Sequence, residues 1–246
     1  MSTQVKVAEA AVRPHRDALH AAADDLAAAF HFSPDAMFAR AANVNTRPAA
    51  RQPALKRAVD LAVAVPMLVL CAPLLAVLAL IVFLDTGGPV LFRQTRLGQG
   101  GKPFRIFKFR TMHVTEDGDT IRQAGKDDDR ITRSGTWLRR TSLDELPQLL
   151  NVIAGEMSLV GPRPHARAHD LHYAALIADY KLRQAVKPGI TGWAQVNGHR
   201  GQTPTAAAMR ARVDLDIWYA RNSGLAFDLL ILLRTPAAVL GGGNAY

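Results

Sequence analysis

The run from Leu61 to Leu84 is apolar at every position, and it limits what the rest of the chain can be. As a straight helix it reaches about 36 Å, enough to cross the hydrocarbon core of a bilayer. Two features argue against a simple span. Pro66 and Pro73 interrupt the run, and each removes a backbone hydrogen bond and bends a helix. Basic residues also stand on both sides. Arg47, Arg51, Lys56 and Arg57 precede the run, and Arg93, Arg96, Lys102, Arg105, Lys108 and Arg110 follow it, with only Asp85 opposing on that following side. Basic flanks favour the cytoplasmic face. A re-entrant helix that bends at Pro73 and returns to its starting side satisfies both flanks, whereas a span satisfies one. The re-entrant reading is favoured, and its freed backbone groups then need partners at that depth, from Cys71 or the following domain.

The chain has 246 residues with 49% hydrophobic content, enough for one domain with additions and a real core. A net charge of +9 suits an anionic partner: nucleic acid, anionic lipid or a phosphorylated substrate. Aromatics are only 7% and no nucleic-acid motif is present, so nucleic acid is not expected. Cys71 is a lone cysteine and makes no internal disulfide. The N-terminus lacks a basic-then-apolar leader, so no cleavage is expected. Residues 1–52 read as an accessory helical segment and linker, with an apolar stripe of Leu19, Ala22, Leu26 and Phe30. Residues 53–86 are the membrane helix and 87–246 the remaining domain.

Pro89–Arg93 and Phe104–Phe109 read as strands of a hairpin turned at Gly98-Gln99-Gly100-Gly101. Their interleaved Arg, Lys and Phe would suit either a lipid-facing surface or a simple hairpin with a charged outer face. Glu116–Asp129 is acidic but lacks the calcium-loop spacing, and is expected to be a solvated loop. Ile131–Arg140 reads as a basic amphipathic helix with Trp137 and Leu138 set against Arg133, Arg139 and Arg140.

Then comes Ser142-Leu143-Asp144-Glu145-Leu146-Pro147-Gln148. Ser142 and Glu145 fit a capping box, and Leu146, Leu149, Leu150 and Ile153 follow at helical spacing up to a stop at Gly155. The pair Asp144–Glu145 is thereby expected at a helix N-terminus, where N–H groups favour phosphate. An acid pair in a first turn is also ordinary helix-start chemistry, so its neighbours decide. His165, His169 and His172 have the i, i+4, i+7 spacing of one helical face, but without the Glu of H-E-x-x-H a zinc site is not expected. Lys187 to Gly201 reads as a Gly- and Pro-rich loop that either holds Lys187 and Arg200 for a pyrophosphate or is only a long turn. Leu225–Leu240 is apolar but broken by Asp228, Arg234 and Pro236, which suits the membrane interface.

In this order the segments resemble the bacterial sugar transferases, the monotopic phosphoglycosyl transferases. The resemblance runs from Lys56 to Tyr246. It rests on the Pro-broken apolar run, Lys108-Phe109-Arg110-Thr111-Met112, Arg140-Thr141-Ser142-Leu143-Asp144-Glu145-Leu146-Pro147-Gln148, Val160-Gly161-Pro162-Arg163-Pro164 and Pro188-Gly189-Ile190-Thr191-Gly192-Trp193. It implies a mostly helical α+β fold, a small catalytic domain on the membrane surface with a short β-hairpin. It also implies transfer of a sugar phosphate from a UDP-sugar to undecaprenyl phosphate, with UMP released, Mg²⁺ required and the site on the cytoplasmic face of the bacterial inner membrane. Asp144 matches the nucleophile and Glu145 its partner, both near the metal. Lys108, Arg110, Arg163, Lys187 and Arg200 are the candidate phosphate contacts, and His165, His169 and Gln195 the candidate sugar contacts. His165-Ala166, His169, His172-Tyr173 and the closing Asn244-Ala245-Tyr246 resemble the branch that primes exopolysaccharide synthesis with glucose 1-phosphate. Gln202-Thr203-Pro204-Thr205 stands where that branch carries Glu-Thr-Asp-Thr. Alternatives to glucose are galactose or an N-acetylated sugar. A non-catalytic assembly role is the alternative to catalysis. Membrane lipid, further copies of the chain and polysaccharide-assembly proteins are the other expected partners.

Overall fold

A computed structural model describes residues 53–113 and 128–240. Residues 1–52, most of the acidic segment and the closing Asn244-Ala245-Tyr246 lie outside the described residues. The order is helix α1 (Ala54–Thr86), hairpin strands β1 (Leu91–Leu97) and β2 (Pro103–Phe109), helix α2 (Arg133–Thr141), helix α3 (Gln148–Ala154), strand β3 (Ser158–Val160), helix α4 (Arg167–Leu176), strand β4 (Gly189–Thr191), the short helix α5 (Trp193–Val196), and helices α6 (Ala206–Asn222) and α7 (Leu225–Leu240). It is a mostly helical α+β fold.

Helix α1 contains the apolar run and takes in Pro66 and Pro73 without ending. Lys56, Asp60 and Ala64 are buried at its first end, and Leu78 and Val82 toward its second. Leu68, Cys71 and Leu75 continue the same stripe half-buried. The opposite side is open: Leu70 is 82% exposed and Leu84 74%. Both prolines lie on that open side, seven residues apart and thus on one helical face. So much exposed apolar surface marks a membrane or partner contact.

Both ends of α1 are pinned to the same domain. Asp60 accepts from the Ser158 hydroxyl and the Leu159 N–H, each at 3.0 Å. Lys56 pairs with Asp228 of α7. Arg57 donates to the carbonyls of Val152 and Ile153, at 2.5 and 2.8 Å, and so caps the C-terminus of α3, whose last carbonyls have no helical partner. At the other end Asp85 accepts from the N–H and hydroxyl of Ser134 at 2.8 and 2.6 Å.

The hairpin is antiparallel, with Gln94 opposite Ile106. Its first strand begins two residues later than the sequence indicates and runs to Leu97. Phe104, Ile106 and Phe109 turn into the core rather than toward lipid, while Arg93 lies over the Phe107 ring at 5.3 Å. Asn151 of α3 clamps this hairpin. It donates to the Arg105 carbonyl at 2.7 Å and accepts from the Phe107 N–H at 3.0 Å.

Strands β3 and β4 pair in parallel, Ser158 with Gly189 and Val160 with Thr191. Here Gly161 and Gly189 bring two backbones together so closely that a Cβ on either would overlap the other segment. The region from Lys187 is therefore not loop-like throughout. Those residues serve a strand and a buried short helix, and Trp193 packs on Phe227 at 4.9 Å.

Candidate active site

The acid pair sits between two helices. Helix α2 starts at Thr132, whose hydroxyl accepts from the Gly135 N–H at 2.9 Å. It ends at Ser142, which adopts φ 60°, ψ 18°, the single positive-φ residue other than glycine among the described residues. That left-handed conformation terminates α2 and turns the chain into a 3₁₀ turn, Leu143–Glu145. Helix α3 begins only at Gln148. The expected capping box is thus absent: Ser142 makes no side-chain cap bond, and Asp144 and Glu145 precede the helix instead of opening it. The stop at Gly155 is as expected, with φ 83°. Leu149 is buried but Leu150 is exposed, so the inward face of α3 is Gln148, Leu149, Asn151 and Val152.

Asp144 and Glu145 are both buried yet treated differently. Glu145 is saturated with cations. Its Oε1 accepts from Lys108 Nζ at 2.6 Å and from Arg163 at 2.5 Å, and its Oε2 accepts from the other Arg163 nitrogen at 2.9 Å. This two-pronged clamp and the Lys108 ammonium hold Glu145 well below the usual carboxylate range against the opposing effect of burial. Lys108 is itself pushed down, first by burial and then held up by Glu145. Asp144 receives no such clamp: its buried Oδ1 has no hydrogen-bond partner. Burial first, then the neighbouring Glu145 charge, push its carboxyl from 3.8 to about 6, against Lys108, Arg139 and Arg163. One carboxylate is neutralised and fixed. The other is ionised at neutral pH, poorly solvated and without a partner at Oδ1.

The remaining candidates do not all converge. Lys108 and Arg163 meet the acid pair, but as partners of Glu145. Arg110 instead donates to the carbonyls of Met112 and His113, at 3.0 and 2.6 Å. Lys187 lies beside Gly155 and Arg57, at the opposite end of α3 from the acid pair. Arg200 follows α5 and is half-buried. Gln195 is buried and donates to the Ile190 carbonyl at 3.1 Å, leaving its Oε1 without a partner.

The three histidines do not share a face. His165 precedes α4 and is buried, with Nδ1 2.6 Å from the Tyr180 hydroxyl, which donates to Asp170 at 2.7 Å. Burial first, then Arg183 and Arg212, hold His165 well below its ordinary value, so it is neutral. His169 and His172 instead flank Tyr173, edge-on at 6.4 and 4.9 Å. The described residues hold no group of three or more metal-ligating side chains. Asp128, expected in a solvated loop, is buried and paired with Arg130 at 2.7 Å.

Two contributors escape the sequence reading. Arg139 acts on Asp144 from the last turn of α2; its signal is a basic residue five positions before the acid. Gln148 is buried on α3 with its amide nitrogen unpartnered; its signal is an amide on an otherwise apolar helix face.

The sequence profile of a family described as bacterial sugar transferase matches residues 51–242. The chain belongs to that family. A relative sugar transferase from Caulobacter vibrioides, named UDP-glucose:undecaprenyl-phosphate glucose-1-phosphate transferase, is 53% identical over 191 residues, covering 78% of this chain and 72% of the relative. A protein of the same name from Escherichia coli is 52% identical over 181 residues, and this chain spans only 39% of its length. An exopolysaccharide production protein from Rhizobium leguminosarum bv. phaseoli is 44% identical over 196 residues, 98% of its length. The matched unit is therefore α1 together with the domain that carries Asp144.

Proposed function

We propose that this sugar transferase moves glucose 1-phosphate from UDP-glucose to undecaprenyl phosphate, releases UMP, and so primes exopolysaccharide synthesis. The observation that carries the proposal is the asymmetry of the acid pair. Asp144 presents an ionised oxygen with no protein partner, beside cations that Glu145 holds in place. A carboxylate of that kind is a nucleophile that needs no base. The choice of glucose is supported by the shared name of relatives above 50% identity.

In the proposed reaction an oxygen of Asp144 attacks the β-phosphorus of the UDP-sugar. The bond to the α,β-bridging oxygen breaks, and UMP leaves with that oxygen and its electron pair. The sugar phosphate is then an acyl phosphate on Asp144. An oxygen of undecaprenyl phosphate attacks the same phosphorus and returns the carboxylate. Arg163, Lys108 and Arg139 lower the repulsion between two anions. Glu145 keeps Arg163 and Lys108 aimed at the site.

A divalent cation fits this donor set in part. Glu145 has both oxygens occupied by cations, so Asp144 Oδ1 is the open ligand; substrate phosphates and water would complete the shell, as Mg²⁺ prefers. When bound, the ion supplies charge neutralisation on the diphosphate.

The proposed location is the cytoplasmic face of the inner membrane, with α1 re-entrant. Both ends of α1 are pinned to one domain, its middle is open and apolar, and its prolines lie opposite the buried stripe. Proline removes a helical hydrogen bond and bends a helix, and a bend at this face would turn both ends of α1 toward the domain.

The nucleotide product tests the reaction. With UDP-glucose and undecaprenyl phosphate, the protein should release UMP. UDP as product, or no nucleotide, refutes it. A much higher kcat/KM with UDP-galactose or UDP-N-acetylglucosamine refutes the sugar and leaves the reaction class standing.

A further inference from the structure

Helix α2 has two jobs to divide between its faces. Leu138 is buried against Leu78 and Val82 of α1 and Phe109 of β2. Arg139, half-buried, acts on Asp144. The side away from Leu138 carries Arg133, Thr136, Trp137 and Arg140, all exposed. Arg133, Trp137 and Arg140 recur at i, i+4, i+7 and so share that face. Trp137 is 40% exposed, whereas Trp193 is buried and Trp218 packs on Phe227 at 5.0 Å.

The position of this face matters more than its composition. Ser134 binds Asp85, the residue directly after the apolar run. The turn of α1 just before it exposes Ile81, Phe83 and Leu84. Helix α2 therefore starts beside the end of the apolar run, next to the exposed apolar residues of the last turns of α1. A tryptophan between two arginines at that level matches a membrane interface, where the indole sits among headgroups and cations meet phosphates.

We infer that the Arg133–Trp137–Arg140 face of α2 docks on the anionic headgroups of the bilayer that holds α1, and so sets the height of Asp144 above the membrane. The inference goes beyond the transfer reaction and needs only that α1 sits in a bilayer. It assigns α2 a positional role: one side meets lipid phosphate while the next turns Arg139 toward the nucleophile. A chain with net charge +9 is complementary to such a surface.

The test uses the full chain in lipid discs of phosphatidylcholine, with or without phosphatidylglycerol, some carrying lipids brominated near the headgroup. Brominated lipid should quench the tryptophan emission, and Trp137→Phe should remove most of that quenching, because Trp193 is buried and Trp218 is half-buried against the core. Iodide should reach Trp137 in detergent but not in phosphatidylglycerol discs. Arg133→Gln with Arg140→Gln, two residues outside the acid site, should weaken docking of the face by about 30-fold, from the usual contribution of a cation at an anionic surface. That loss reads as restored iodide access. High salt should act in the same direction. If brominated lipid quenches Trp137→Phe as strongly as wild type, or iodide reaches Trp137 equally in discs and detergent, the inference is overturned and the face is left to a protein partner. These readouts need no turnover, so they stand apart from any failure of the proposed reaction.

Discussion

Removing the charge of Asp144 should abolish turnover and make the protein more stable. Burial raises this carboxyl from 3.8 to about 6, which corresponds to a charging cost of about 3 kcal/mol at neutral pH. Asparagine keeps the shape and cannot ionise. Its amide needs partners of its own, so a gain of about 1–3 kcal/mol is expected, or roughly 2–10 °C in Tm for a chain of this size. The pH dependence follows from the direction of the shift. Above about pH 6 Asp144 is ionised in both folded and unfolded chains, and the folded one carries the full cost. Below 3.8 it is protonated in both and the cost vanishes. The advantage of Asp144→Asn should therefore be complete at pH 8, about half at pH 5 and nearly gone at pH 4. Thermal unfolding of wild type and variant in lipid discs with EDTA measures it. A variant no more stable than wild type at pH 8, or an advantage that does not change with pH, refutes the reasoning.

Other expectations follow from the same contacts. Wild-type kcat/KM should fall about tenfold per pH unit below about pH 6, as Asp144 takes up a proton; a flat profile down to pH 5 contradicts this. Glu145→Gln should release Lys108 and Arg163 from their clamp and cost about 3 kcal/mol in stability, as unbalanced buried charges do, with turnover severely reduced; unchanged unfolding speaks against the clamp. Leu138→Ala opens the contact between α2 and α1 and should cost about 2–5 kcal/mol, read from thermal unfolding. Gly189→Ala has no room for its methyl group and should fail to accumulate as folded protein.

The elements that were legible in the sequence are those whose signal is local. The α1 run is apolar throughout, the hairpin alternates about a glycine turn, and Asp144–Glu145 stands out as an acid pair. What sequence could not show is which of two local roles a residue takes. Ser142 suits a helix start, but it is used to end α2 in a left-handed conformation, and Pro147 then delays α3 to Gln148. Gly189 suits a phosphate loop, but the packing of β3 on β4 sets it against Gly161 instead. The i, i+4, i+7 spacing of His165, His169 and His172 presumes one helix, whereas α4 starts only at Arg167 and Tyr180 takes His165 into the interior. The division of labour between Asp144 and Glu145 depends on Lys108 and Arg163, 37 residues before and 18 after Glu145 in the chain, and only tertiary packing brings them to one carboxylate.

The central claim is that Asp144 carries the sugar phosphate. Wild type mixed with labelled UDP-glucose and Mg²⁺, without any lipid acceptor, should release about one equivalent of UMP per protein and keep the label, with the added mass on the peptide that contains Asp144. Asp144→Asn should do neither. UMP release that strictly requires undecaprenyl phosphate, with no label retained on the protein, would contradict the covalent route and place the transfer in a single step.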